Sequence, residues 1–487
     1  MSYDEFDPIK SSIDENYKKL AETLRLEKSF DVGFREISVL ERRVQLYYVT
    51  GLVDSLLISE IMTQLTLLNN LEKGNPDLLA LINNRIVHQQ VNRVNNIKEV
   101  KLNVLSGLLA IVIDGETDAL LVDVRSYPGR GPAEPDTEKT VRGSRDGYTE
   151  NIIVNTALTR RRIRTGRLIN EIIKVGNESQ TDVVLSYIED IANENLVNEI
   201  RSRIKRINID SLSMTDKELE EYLTDQGYNP FPLVRYTERP DIVATHLYQG
   251  LVAIMVDTSP SVILAPITYF DHMTHLEEYR QTPAVGTFLR FIRATGIIVT
   301  TLLMPTWLLL VLHPEYLPDL YSFIGPQEEG NIPFILQILS GELGIEVLRM
   351  ASIHTPNAIS SALGIVSAIL IGQVAIDVGL FGPEIVFYVA VGAIGNFITP
   401  SYELGLANKL MKLFIIIATY FLGIWGYAGS IILSFVYLAT MKSFGKPYLY
   451  PLIPFNFRDL LHTFIRFPNP KRTNQTENEY IRQKSAI

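Results

Sequence analysis

Between Lys412 and Lys442 the chain passes through twenty-nine consecutive residues without a formal charge, LFIIIATYFLGIWGYAGSIILSFVYLATM. A hydrocarbon core about 30 Å thick takes roughly 20 apolar residues in helical form, so a run of this length points to a lipid-spanning helix rather than a helix buried in a water-soluble core. The run predicts an integral membrane protein. Whole-chain averages conceal it: mean hydropathy is only +0.11 and 21% of residues are charged, because a polar first half is averaged with an apolar second half.

Further uncharged stretches precede it. Ala294 to Leu312 lies between Arg293 and His313, with Arg290 and Arg293 as the expected inner anchor, and Met350 to Ile376 and Ile385 to Tyr402 follow. Ile332 to Leu348 is apolar but holds Glu342 and Glu346. The loop HPEYLPDLYSFIGPQEEGN has acids and no Lys or Arg, which places it outside; the Lys- and Arg-bearing tail belongs inside with the N-terminal region. Two internal ends require an even number of crossings. Either Ile332 to Leu348 is re-entrant or interfacial, or the last run folds into a hairpin at Gly423, Gly426 and Gly429. Half of twenty-nine residues is short for a bilayer, so the expectation is four spans plus a re-entrant segment, at the cost of leaving Lys409 and Lys412 outside.

The residues before about 285 hold no comparable run, and the N-terminus lacks the basic and apolar regions of a signal peptide, so this half is expected to stay on the cytoplasmic side. It carries an internal repeat. GLLAIVIDGETDALLVD from Gly107 matches GLVAIMVDTSPSVILAP from Gly250, with Asp114 over Asp257, and YVTGLVDSLLISEI from Tyr48 matches YIEDIANENLVNEI from Tyr187. Alternating strand and helix patterns within each copy predict an α/β N-terminal soluble region of two related subdomains, followed by an α-helical transmembrane domain. The expected divisions are a polar segment at 1–35, subdomains at 36–127 and 149–285 joined by a Gly- and Pro-rich linker at 128–148, a membrane domain at 286–446, and a tail at 447–487 with an interfacial helix in NFRDLLHTFIRF.

Zero cysteines remove disulfides and thiolate chemistry, and a net charge of -10 disfavours nucleic acid as a partner. The chain holds no phosphate-binding glycine loop, no HExxH and no catalytic pair in interpretable context, so neither catalytic residues nor a cofactor are expected. His272 and His275 are three apart, but structural zinc normally takes four ligands and the neighbouring acids suit an exposed juxtamembrane helix; no metal is expected.

Three groups of residues carry candidate chemistry. Ser360, Gly364, Ser367 and Ile371 share one face of a helix, which suits either a narrow channel closed at Ile371 or close helix packing. Glu342 and Glu346 are one turn apart, and either concentrate cations or carry protons inside the membrane, or face water on an interfacial helix with Arg349. Arg160, Arg164 and Arg167 share a face of a predicted helix, which suits a solvated face, a subunit contact or anionic lipid headgroups.

The wording of RSYPGRGPAEPDTEKTVRGSRDGYTENIIVNTALTRRRIR, NPFPLVRYTERPD, VDTSPSVILAP, RMASIHTPNAISSALGIVSAILIG and AIGNFITPSYELGLANK resembles the A subunits of GerA-type spore germination receptors, over nearly the whole chain. TERPD, EEYRQTPAVGTFLRFIR and TPSYELGLANK resemble a branch of that family regarded as an amplifier of ion release rather than a nutrient sensor. The resemblance implies a homo-oligomeric ring in the spore inner membrane, lying among other membrane subunits of the germination complex in the lipid bilayer. In that picture it conducts monovalent ions and keeps its N-terminal domain on the core side. A nutrient-sensing receptor subunit and a non-conducting scaffold are the alternatives.

Overall fold

The computed structural model describes residues 7–70, 78–86, 91–126, 143–316, 325, 332–354 and 372–468. The described chain divides into two compact units: residues up to Asp225 together with Val234–Pro266, and Gln226–Leu233 together with the residues from Ile267 onward.

The first unit contains two five-stranded antiparallel sheets of one design. In the first, the order is β1-β2-β4-β5-β3, formed by Val32–Val39, Arg42–Val49, Leu109–Ile113, Ala119–Val122 and Val91–Val94 (β1, β2, β4, β5, β3). In the second, β6 (Leu168–Val175), β7 (Thr181–Ile188), β8 (Arg235–Thr237), β9 (Val252–Val256) and β10 (Val262–Ala265) repeat that order as β6-β7-β9-β10-β8. The first copy's helices are α1 (Ile13–Leu24), α2 (Ser55–Leu67), α3 (Leu78–Arg85) and α4 (Ile97–Leu105). Their counterparts are α5 (Ile152–Arg162), α6 (Glu194–Arg206), α7 (Thr215–Leu223) and α8 (Pro240–Tyr248).

The inner strands β4 and β5 of the first sheet read as continuous apolar runs because both faces are covered. Tyr47, Val49, Ala110, Val112 and Leu121 pack on one side with Leu20, Leu24, Val100 and Val104 of α1 and α4. Leu46, Ile111, Ile113, Leu120 and Val122, their alternates, pack on the other with Ile58, Ile61, Leu65 and Ile82 of α2 and α3. Local hydrogen bonds repeat as well as topology. Asp114 accepts from the Ile13 amide at 3.3 Å and Asp257 from the Ile152 amide at 3.1 Å, each at the start of its copy's first helix. Asn16 and Asn155, both buried, each bond the backbone six residues upstream in both directions.

Strand register refines the sequence alignment. Val32 pairs with Val49 and Leu168 with Ile188, so β1 and β6 correspond with an offset of 136 while β2 and β7 keep 139. The longer β6–β7 turn absorbs the difference, a local shift invisible to an ungapped match.

The second unit is helical. Short helices α9 (Tyr269–Met273) and α10 (Leu276–Arg280) lead into α11 (Pro283–Leu312), α12 (Phe334–His354), α13 (Val374–Asp377), α14 (Pro383–Ile398) and α15 (Tyr402–Thr440), and then α16 (Phe457–Phe464). Among the described residues two helices, Pro283–Leu312 and Tyr402–Thr440, are long and apolar enough to cross a membrane. The four-span expectation is therefore not reproduced as such. α14 ends at Ile398, and Ser401 caps the next helix by accepting from the Leu404 amide, so Pro400 separates two helices instead of bending one.

The largest departure from expectation is inside α15. Gly423 has φ 58° and ψ -136°, and the helix reverses there. Leu404 and Ala407 share one hydrophobic cluster with Leu438, whereas in a straight helix Leu404 and Leu438 would stand about 51 Å apart at roughly 1.5 Å per residue. A Cβ on Gly426 would overlap the Ala418 carbonyl oxygen, which fixes how tightly the two limbs close. The limbs, 402–422 and 424–440, measure about 31 and 25 Å at that rise. The expectation of a single last span fails because the helix begins eleven residues before the uncharged run, taking Lys409 and Lys412 inside it. Ile332 to Leu348 falls largely within α12, a regular helix of 21 residues, about 31 Å long.

Candidate functional site

Five charged side chains are gathered where α12 meets the first limb of α15. Glu342 and Glu346 lie one turn apart on α12, and Lys409 and Lys412 lie three residues apart on α15, so each pair shares a face. Lys412 Nζ donates to Glu342 Oε1 at 2.6 Å, with both side chains almost fully buried. Lys409 Nζ donates to Glu346 Oε2 at 2.7 Å and to the Glu342 carbonyl at 3.1 Å. Arg349 closes the row on Glu346 and stacks over the Tyr402 ring at 4.9 Å. A water-sized cavity lies beside the cluster, lined also by Thr300, Gly392 and Asn396; the Asn396 Oδ1 is buried without a hydrogen-bond partner among the described residues.

This arrangement corrects the water-facing reading of the carboxylates and gives each of them a cationic partner. Glu342 is only 4% exposed, so the pair does not face water on an interfacial helix, and each carboxylate is matched by a cation, so neither is a bare cation trap. Paired charges are the tolerable form of ionised groups among apolar helices, since an uncompensated one is expensive to bury. Sequence reasoning places Lys409 and Lys412 outside; their i,i+3 spacing against the i,i+4 acids is the available signal to the contrary. Ser360, Gly364, Ser367 and Ile371 lie outside the described residues.

A second carboxylate organises the start of the helical unit. Glu278, 1% exposed, receives Arg290 Nε at 2.9 Å and also pairs with Arg293, while Arg290 reaches the His462 and Thr463 carbonyls at 2.7 and 3.2 Å. The expected inner anchor is thus held by internal bonds that fasten α16 to α11. α16 itself starts at Asn456, which accepts from the Asp459 amide, and buries none of its residues, as an interfacial helix would. Near it, burial pushes the Tyr269 hydroxyl up to about 12, against the lowering effect of its bond to Asn408. His272 is 2% exposed, its ring tilted 6.5 Å from that of Tyr448, which corrects the exposed-helix reading, and His275 caps α10. Among the described residues no group of three or more His, Asp or Glu can hold a metal ion.

In the first unit the arginine cluster separates. α5 ends at Arg162, Ile163 leaves helical geometry, and Arg164 and Arg167 fall in the turn before β6, so the three arginines do not share a helix face. Arg160 is fully buried and forks onto Asp31, Nε to Oδ2 at 2.8 Å and Nη2 to Oδ1 at 2.9 Å. Its remaining donors reach Ser29 Oγ and the Thr165 and Leu168 carbonyls, and Asn170 adds a bond to Asp31 at 3.0 Å. Arg160 therefore ties the first copy to the second and is closed to lipid headgroups. Arg162 pairs with Asp146 at 2.9 Å; burial alone would raise that carboxyl, but Ser144 and Arg162 hold it below the usual carboxylate range.

A duplicated α/β unit followed by a helical unit with a paired charge cluster defines a class of two-part proteins with membrane-length helices. The model of the Bacillus/Clostridium GerA spore germination protein family matches residues 18–478, and the chain belongs to that family. Stage V sporulation protein AF of Bacillus subtilis (strain 168) is 51% identical over 442 residues, covering 91% of this chain and 90% of that protein. The uncharacterized membrane protein YfkQ of the same strain is 30% identical over 95% of this chain and 90% of its own length. Among solved structures, the N-terminal domain of the A subunit of the Bacillus megaterium spore germinant receptor GerK3 is 30% identical, covering 55% of this chain and 99% of that one, with a TM-score of 0.43.

Proposed function

We propose that this chain is an integral membrane subunit of a spore germination complex, and that its copies assemble as a ring that conducts monovalent ions and so amplifies germination. The observation that carries this reading is the charge cluster of Glu342, Glu346, Arg349, Lys409 and Lys412, held among apolar helices where ionised groups mark ion or proton pathways. Family membership supports the germination role, and the two membrane-length helices support a bilayer location, which we assign to the spore inner membrane with both termini on the core side. Ser360, Gly364, Ser367 and Ile371, which share a face by spacing, line the conducting path in this reading, with Ile371 as its constriction.

The test is ion flux through the purified chain in liposomes. Ile371→Ala raises flux and Ile371→Trp lowers it. Lys412→Met, which strands Glu342, changes flux severalfold, and Glu342→Gln combined with Lys412→Met brings it back toward the parent. Wild-type flux equal to that of protein-free vesicles overturns the channel reading in favour of a non-conducting scaffold. Germination that depends on a nutrient bound by the α/β head favours the receptor-subunit reading.

A further inference from the structure

A basic cluster at the contact between the two copies of the α/β repeat carries charge that no partner among the described residues balances. α1, α4 and the turn ahead of β6 converge on Gly166. A Cβ there would overlap the Thr23 carbonyl oxygen and stand 2.9 and 3.3 Å from Cε and Nζ of Lys101, so the turn can press onto the lysine only as glycine. Lys101 is part-buried, yet among the described residues it makes no hydrogen bond and no ion pair. Burial lowers its proton affinity, and the charged groups acting on it are Arg25, Arg167 and Lys98, every one of them cationic.

The geometry explains why they gather. Lys98 and Lys101 are three residues apart on α4 and share a face. Arg167 follows Gly166 directly, and Arg25 caps α1 two residues after Thr23. The nearby acid is already used: Glu189 pairs with Arg25 and with Lys28. Among the described residues no carboxylate pairs with Lys98, Lys101 or Arg167. A solvated basic face keeps its ammonium groups in water, where like charges are screened; here one is drawn under a turn, where repulsion is stronger.

We propose that Lys101, Lys98 and Arg167 form a binding site for an anion of the phosphate class, either a free phosphate or phosphomonoester or the phosphate of a lipid headgroup. Such a group brings one negative charge as a diester, or about two as a monoester or free phosphate, and several acceptor oxygens to a site with three cations and, among the described residues, no acid paired with them. Arg160, the residue of the cluster most conspicuous in the sequence, has no part in it.

The full chain, reconstituted in nanodiscs of neutral phosphatidylcholine, is titrated with sodium phosphate against sodium chloride at matched ionic strength. Protection of the α4 and 164–167 amides from hydrogen exchange is read at each point. A parallel arm replaces a third of the lipid with phosphatidylglycerol. Phosphate protects the wild type beyond chloride, and Lys101→Gln with Arg167→Gln weakens the apparent affinity about tenfold or more, which at 1.4 kcal/mol per decade corresponds to removing one charge-assisted hydrogen bond. Lys101→Arg retains the response. Lys101→Gln also raises basal thermal stability, since it removes repulsion without removing a bond, and a merely structural lysine moves that readout the other way. Protection in the phosphate arm alone assigns a free anion; protection in the phosphatidylglycerol arm alone assigns a lipid. Equal behaviour of phosphate and chloride with no effect of phosphatidylglycerol, or equal responses of wild type and double variant, overturns the site.

Discussion

Arg160→Met is the sharpest perturbation of the first unit. Arg160 and Asp31 are each 1% exposed at the side chain, so water cannot replace the bonds that the substitution removes. Asp31 loses both arms of the fork and keeps only Ser29 and Asn170, while the Thr165 and Leu168 carbonyls and Ser29 each lose a donor. Breaking one side of a buried pair costs about 3–5 kcal/mol, most of it the penalty of leaving a carboxylate without its counter-charge. Asp31→Asn removes that charge. The double variant Asp31→Asn with Arg160→Met is therefore expected to be more stable than the sum of the singles by about 2 kcal/mol or more. Both tryptophans, Trp307 and Trp425, lie in the helical unit and give no signal from the sheets, so the assay is hydrogen exchange of β1 and β6 amides on the full chain. A loss below about 1 kcal/mol for Arg160→Met, or strict additivity in the cycle, refutes the reasoning that this pair is a buried electrostatic tie.

Gly423→Ala forces a side chain into left-handed backbone and sets its Cβ 2.7 Å from His313 Nε2, so it is expected to cost roughly 1–3 kcal/mol and lower the thermal midpoint in detergent. Gly429→Ala is the control: a Cβ there meets nothing within 4 Å, and stability should hold or rise. For Asp146, the lowered native pKa means that its pairing stabilises the fold fully above the unfolded value of about 3.9 and that this contribution is lost as pH falls through the lower native value. Asp146→Asn should thus flatten the acid limb of a stability-versus-pH profile and leave its slope near neutrality unchanged.

Much of the architecture is legible because it is written in local patterns. The repeat around Asp114 and Asp257 survives as matched caps, and GLLAIVID reads as a strand covered on both faces. What the sequence conceals is pairing at a distance. Lys412 and Glu342 are 70 residues apart, so each looks misplaced in an apolar segment until its partner is adjacent. Length alone disfavours the hairpin at Gly423, because half of the uncharged run is too short. The eleven residues before it supply the missing turns once Lys409 and Lys412 are neutralised. Arg160, Arg164 and Arg167 fall on a helical period that Ile163 breaks.

Register places Phe34 opposite Tyr47 in the first sheet and Asn170 opposite Ser186 in the second, at corresponding positions of the two copies. The first pair meets at 5.3 Å between tilted rings in an aromatic core with Tyr17, in the cluster that also holds Leu20 and Leu24 of α1. The second pair bonds at 2.7 Å beside the Arg160–Asp31 ion pair, where Asp31 and Ser29 of the first copy enter. One layer of a common design has been left apolar in one copy and made polar in the other. A buried polar layer gives little net stability against an apolar one, but it penalises any arrangement that leaves its donors unmatched. The divergence between the copies therefore acts on specificity: it selects the single docking in which Arg160, Asn170 and Ser186 are all satisfied. Replacing the layer with the first copy's residues should keep the second sheet folded while loosening its attachment to the first.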